Sequence, residues 1–151
     1  MVGRTKAATA DEKRRMTILK ENIPCLCCLI DYGLPRIPTI QHVTRGRKRL
    51  GHGYTYPACE WHHLGHPPAL GGPSLANGRK PFEAHYGPEE FLVRLADYCL
   101  EVWDAHGPWI DYNVPTSVIA ALQEAHRVKT TDSDTWLTQS HDGERSTHSL
   151  C

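Results

Sequence analysis

The sequence lacks most of the features that announce a partner at a glance. Its 17 Lys and Arg balance 17 Asp and Glu, so no global charge points to nucleic acid. No apolar run is long enough to cross a bilayer, and no signal-peptide apolar core follows the amino end; the sequence predicts a cytoplasmic protein with no membrane partner. Large apolar residues are scarce, with two Phe and two Met in 151 residues, so the core is small and a structural metal is a plausible staple. There is no internal repeat. Acidic residues are missing altogether between Tyr32 and Cys59, while Arg36, Arg45, Arg47, Lys48 and Arg49 fall in that stretch. A neutral chain with a local acid-free basic segment suits a phosphate backbone, and Arg45, Arg47, Lys48 and Arg49 are the candidate DNA contacts.

What is abundant is cysteine and histidine, six and ten respectively. They cluster: Cys25, Cys27 and Cys28 crowd together, and Cys59 stands beside His62 and His63. Disulfides staple distant loops of secreted chains, whereas clustered Cys beside clustered His reads as metal binding. Cys25 and Cys28 form a C-x-x-C pair, and Cys59 and His62 a C-x-x-H pair. Together they supply four ligands for a tetrahedral structural Zn²⁺. Cys27 is an extra thiol whose i, i+2 spacing from Cys25 is less suited. Cys99 lies in an apolar helical pattern and reads as core.

Element signals divide the chain into four parts. Residues 1–22 form a basic amino-terminal arm with a short helix from Asp11 to Lys20, and Pro24 stops it. Residues 23–106 form the metal-containing domain. Within it, Thr39–Thr44 and Tyr54–Ala58 read as strands joined by a glycine-bearing basic loop, and Cys59–Leu64 as a helical turn. Residues 65–79 read as loop. Residues 80–105 return to helix, with Pro88 suited to a first turn and Glu89 and Glu90 complementing the helix dipole. Phe91, Leu92, Leu95, Tyr98, Cys99, Val102 and Trp103 recur at helical spacing. Residues 107–128 form a helical extension, with a last helix over 114–128. Residues 129–151, rich in Ser, Thr and Asp, read as a disordered tail.

The order Ile40-Gln41-His42, Gly46-Arg47-Lys48-Arg49-Leu50-Gly51-His52 and Thr55-Tyr56-Pro57-Ala58-Cys59-Glu60-Trp61-His62-His63 resembles the phage Ref (recombination enhancement function) group of HNH nucleases. Pro73-Ser74-Leu75 and Phe82-Glu83-Ala84-His85-Tyr86-Gly87 extend the resemblance, which covers about residues 23–105. It implies an α+β fold, a small zinc-stabilised ββα-metal core with flanking helices. It implies divalent-metal-dependent DNA cleavage in the cytoplasm of a bacterial host, with a RecA-like recombinase filament as partner in at least one member. By the family's pattern His42 is the general base. Gln41 stands where the group commonly has a second histidine. His63 matches a helix ligand for the catalytic ion, His52 matches a histidine between the strands, and the next ligand position falls at Pro67, which leaves His66 one residue away as a substitute. The implied catalytic ion is Mg²⁺, Mn²⁺ or a second Zn²⁺, held by His63 and His52 with Gln41 or His66.

Two readings follow. One is an HNH endonuclease hydrolysing DNA phosphodiesters in phage recombination or DNA processing. The other is a non-catalytic zinc-stabilised DNA-binding or recombination accessory module, towards which Gln41, Pro67 and Gly53, standing where the family often has an aspartate after the histidine matched by His52, lean.

Overall fold

The computed structural model describes residues 6–66 and 72–131. The first helix, α1, runs Ala10–Asn22. It begins on a capping box: the Thr9 hydroxyl accepts from the Glu12 amide at 3.1 Å, and the Glu12 carboxylate accepts from the Thr9 amide at 2.9 Å. The residues expected to form a free arm are partly core, because Ile18 and Leu19 are buried. Helix α1 packs on the strands β1 (Thr39–His42) and β4 (Thr55–Ala58) and on the long helix α5 (Glu89–His106).

Strands β1 and β4 pair antiparallel, Thr39 with Ala58, Ile40 with Pro57, Gln41 with Tyr56 and His42 with Thr55. Pro57 lacks an N–H, which a two-stranded ribbon tolerates on its open edge. The basic loop between them is itself a small hairpin, β2 (Thr44–Arg45) with β3 (Lys48–Arg49). Its two turn residues, Gly46 and Arg47, have φ of 55° and 71°. Positive φ at both positions is the mark of the tight turn whose twist matches a hairpin, and the glycine enters it without strain.

Two short helices carry the metal motifs, α2 (Leu26–Tyr32) and α3 (Glu60–Leu64). The helical region expected over 80–105 is two helices, α4 (Arg79–Tyr86) and α5. Gly87, with φ of 100°, ends α4, and its missing side chain leaves the room that the Lys129 side chain occupies. Along α5 the buried residues Phe91, Leu92, Leu95 and Cys99 follow the expected face. The last helix, α6 (Thr116–Thr131), packs against α2 and closes a single core that runs from Ile18 to Ala125. The tail expected from 129 onward begins within this helix; 132–151 lie outside the described residues. The architecture is α+β: helices around one two-stranded ribbon and its hairpin loop.

Candidate metal centre and histidine cluster

Cys25 caps α2 and Cys59 caps α3, so Cys28 and His62 each stand three residues into their helix. This local geometry explains the two x-x spacings. A helix cap and the third helical residue lie side by side at the positive end of the helix, where thiolate is favoured. The four ligand atoms of Cys25, Cys28, Cys59 and His62 lie within 4.8 Å of one another, and all four residues are buried. His62 Nδ1 is 3.5 Å from Cys25 Sγ, 3.6 Å from Cys28 Sγ and 3.2 Å from Cys59 Sγ. Such a set could hold a tetrahedral Zn²⁺, and the three sulfurs with one imidazole are its preferred chemistry.

The electrostatics point the same way. Burial raises the Cys25 thiol, but hydrogen bonds with Cys27, Cys28, Cys59 and His62 more than offset it and bring it well below the ordinary range. Burial lowers His62, and bonds to Cys25 and Cys59 bring it back up to about 9. The hydrogen bonds to Cys25 and Cys59 push Cys28 upward. Without a cation, the cluster therefore stabilises one thiolate against one imidazolium. A divalent ion would let the other thiols ionise as well. Cys27 is fully buried, and it stands outside the four-residue set.

Behind His62 lies a relay that the sequence did not disclose. His62 Nε2 is 2.9 Å from the Tyr86 hydroxyl, which donates to Asp31 Oδ2 at 2.6 Å. His85 Nε2 reaches the same carboxylate at 3.0 Å. With Nδ1 directed at the sulfurs, Nε2 carries the proton and donates to Tyr86, which fixes both tautomer and ring orientation. Tyr86 lies 24 residues from His62, and Asp31 lies on α2, so no spacing rule connects them.

His42, His52 and His63 lie beside the ribbon. His42 Nε2 is 3.3 Å from His52 Nδ1, with the rings edge to face at 5.4 Å. His52 Nε2 donates to the Lys6 carbonyl at 2.8 Å, so its Nδ1 holds a lone pair. Thr39 donates its hydroxyl proton to the Ala58 carbonyl at 2.9 Å and accepts from His63 Nδ1 at 2.7 Å. That leaves the lone pair of His63 on Nε2. Burial, Arg49, His52 and His63 push His42 down to about 4, and burial lowers His63 as well. These two are neutral imidazoles at physiological pH. Among the described residues the group does not draw together as tightly as the Cys₃His set.

Other expected site residues fall elsewhere. Gln41 is buried and turned away from the imidazoles. Its amide donates to the His42 carbonyl at 2.9 Å and to Glu89 at 3.1 Å. Adjacent strand residues point to opposite faces, so Gln41 and His42 do not converge on one point. His66 is exposed beyond the end of α3 and lines a surface groove of about 820 Å³ with Leu34, Ile37 and Trp61. Arg47, Lys48 and Arg49 project from the small hairpin into solvent. Arg45 is engaged by Glu90 in an ion pair. Arg15, on the supposed arm, reaches the Thr55 hydroxyl through its Nε at 3.0 Å and the Thr55 carbonyl through Nη2 at 2.7 Å. Thr55 in turn donates to the His52 carbonyl. Sequence reading missed this support because nothing local ties Arg15 to a strand 40 residues away.

A mixed α+β domain here joins a buried Cys₃His cluster that could hold a metal ion to a second group of imidazoles. The particular assignment comes from comparison. Residues 8–102 match the family model described as recombination enhancement, RecA-dependent nuclease, and the chain belongs to that family. No curated protein and no solved structure matches it.

Proposed function

We propose that this protein is a metal-dependent DNA endonuclease of the HNH type, built on a ββα-metal unit formed by β1, β4 and α3 and held by a structural Zn²⁺ at Cys25, Cys28, Cys59 and His62. The observation that carries the reading is the placement of His42, His52 and His63 beside one ribbon, next to a hairpin whose arginines and lysine face solvent. His42, neutral because burial and neighbouring positive groups disfavour its charged form, is the base that takes a proton from water. His63 presents a lone pair on Nε2, and His52 has one on Nδ1 that here accepts from His42 Nε2; with that bond released, the two would hold the catalytic Mg²⁺, Mn²⁺ or second Zn²⁺. That ion supplies charge neutralisation at the phosphate and the leaving oxygen. Thr39 and the Lys6 carbonyl orient the two ligand rings. Arg47, Lys48 and Arg49 hold the phosphate backbone, with Arg45 shared with Glu90. The family description, a RecA-dependent nuclease, supports a recombinase filament of RecA type as partner, and we place its action in the cytoplasm of a bacterial host. Among the described residues no helix is long and apolar enough to cross a membrane.

The test is cleavage of single-stranded, duplex and recombinase-coated DNA, with Mg²⁺, Mn²⁺ or neither. Strand scission that requires the divalent ion is expected. A protein that binds DNA yet cuts none of these forms with any divalent ion is instead the accessory module.

A further inference from the structure

Glu89 is the first residue of α5 and has no exposed surface. A carboxylate at a helix start normally faces solvent and the helix dipole. Here it enters the interior, where side chains of two strands donate hydrogen bonds to it and a guanidinium of a third element lies beside it. Tyr56 of β4 donates its hydroxyl to Oε2 at 2.8 Å, Gln41 of β1 donates to the same oxygen at 3.1 Å, and Arg79 of α4 lies 3.1 Å from Oε1. Gln41 and Tyr56 are cross-strand partners, so one carboxylate oxygen clamps one rung of the ribbon. The next rung pairs His42 with Thr55.

The Gln41 amide does two things with one nitrogen. One N–H goes to Glu89, and the other to the His42 carbonyl at 2.9 Å. Both neighbours are acceptors only, so the chemistry itself requires NH₂ rather than the amide oxygen at this point. An imidazole nitrogen carries at most one N–H and cannot make both bonds from one atom.

We propose that Gln41 and Glu89 are a positioning pair for His42. Glu89 holds the Gln41 amide, and that amide fixes the carbonyl of the residue whose ring does the chemistry. The inference rests on His42 being the base. It gives Gln41 a different role from a metal ligand, and it gives the buried Glu89 charge a purpose beyond packing.

The experiment compares Gln41→Met with the exchange Gln41→Glu/Glu89→Gln. Gln41→Met removes both N–H donors but keeps length and apolar volume, and leaves Glu89 with Tyr56 and Arg79. Its kcat should fall about tenfold, with KM for DNA within about twofold and zinc content unchanged, because only the aim of His42 is disturbed. In the exchange, an amide faces a carboxylate again, so melting temperature should recover relative to Gln41→Glu alone. A carboxylate at position 41 cannot donate to the His42 carbonyl, so kcat should stay low. Recovery of kcat together with stability would overturn the proposal, as would a Gln41→Met enzyme as fast as its parent. The ring resonances of His42, read by NMR, need no activity. They should move in Gln41→Met while those of His62 stay in place, and unmoved His42 resonances would equally overturn it. A parent that cuts no DNA sinks the nuclease reading, whereas a cutting parent with an unaffected Gln41→Met sinks only the positioning pair.

Discussion

The two histidine-bearing clusters share one short helix and differ in every physical respect. The Cys₃His set is closed: four buried ligands, all within 4.8 Å, with His62 backed by Tyr86 and Asp31. The His42, His52 and His63 group is half-buried and more widely spaced, with the His63 and His52 rings held by Thr39 and a backbone carbonyl. Closed tetrahedral sites build structure, and catalytic sites keep a position open for water and substrate. The adjacent residues His62 and His63 divide between the two because successive helical side chains diverge by about 100°. On the proposed reading, one short helix couples a rigid anchor to a reactive edge.

The largest effect that would separate the two regions comes from Cys59→Ala. It should release the zinc and unfold the domain, since a structural zinc contributes on the order of 10 kcal/mol and a small domain has no such reserve. Metal analysis and thermal melting read this out. A zinc-free parent that melts no lower than a zinc-loaded one would erase the distinction between anchor and edge.

His42→Ala should do the opposite. Cleavage should drop by about 10²–10⁴-fold, while zinc content, melting and DNA affinity hold. The acid limb of the parent's rate profile sharpens this. Since the folded protein pushes His42 down to about 4, the neutral base persists as pH falls through 6.5 and is lost only near 4. The sign for stability is fixed by the same shift. In the window from 6.5 to 4 the unfolded chain binds the proton and the folded one does not, so stability declines as pH falls across it. An acid limb centred at 6.5 or above would show that His42 is not the group being titrated.

A smaller effect belongs to the hairpin. Replacing Arg47, Lys48 and Arg49 together by Ala should weaken DNA binding of any sequence alike. The slope of log K against log salt should flatten by about 0.9 for each duplex phosphate that is no longer neutralised. Arg45→Ala should change the slope less, because Glu90 already neutralises that guanidinium. Equal slopes for the parent and the triple variant would move the DNA to another face.

The smallest effect tests the backing of the anchor. Tyr86→Phe removes the hydroxyl between His62 and Asp31, and zinc affinity should fall by about 10–100-fold in a competition with a chelator, with the fold retained. Unchanged affinity would mean that the three thiolates alone set the strength of the site.

Much of this protein is legible in the chain itself. The two x-x pairs pick out the four residues of the buried cluster, because cap-and-third-residue geometry is local to one helical turn. The helical spacing of Phe91, Leu92, Leu95 and Cys99 identifies the core face of α5, and the β-prone pieces around Gln41 and Tyr56 identify the ribbon. The acid-free run marks the basic hairpin, though not that it forms two strands of its own. What escapes is contact between distant segments. Glu89 has the sequence position of a solvated helix-start acid, and its burial depends on Tyr56, Gln41 and Arg79 arriving from three other elements. Arg15 has the surroundings of a loose arm, and its support of Thr55 exists only once α1 lies on the ribbon. Gln41 has the place of a ligand beside His42, and the pleat turns it to the other face. Spacing along a chain determines which side chains share a turn or a strand face; only packing decides which of those faces is inside, and what it meets there.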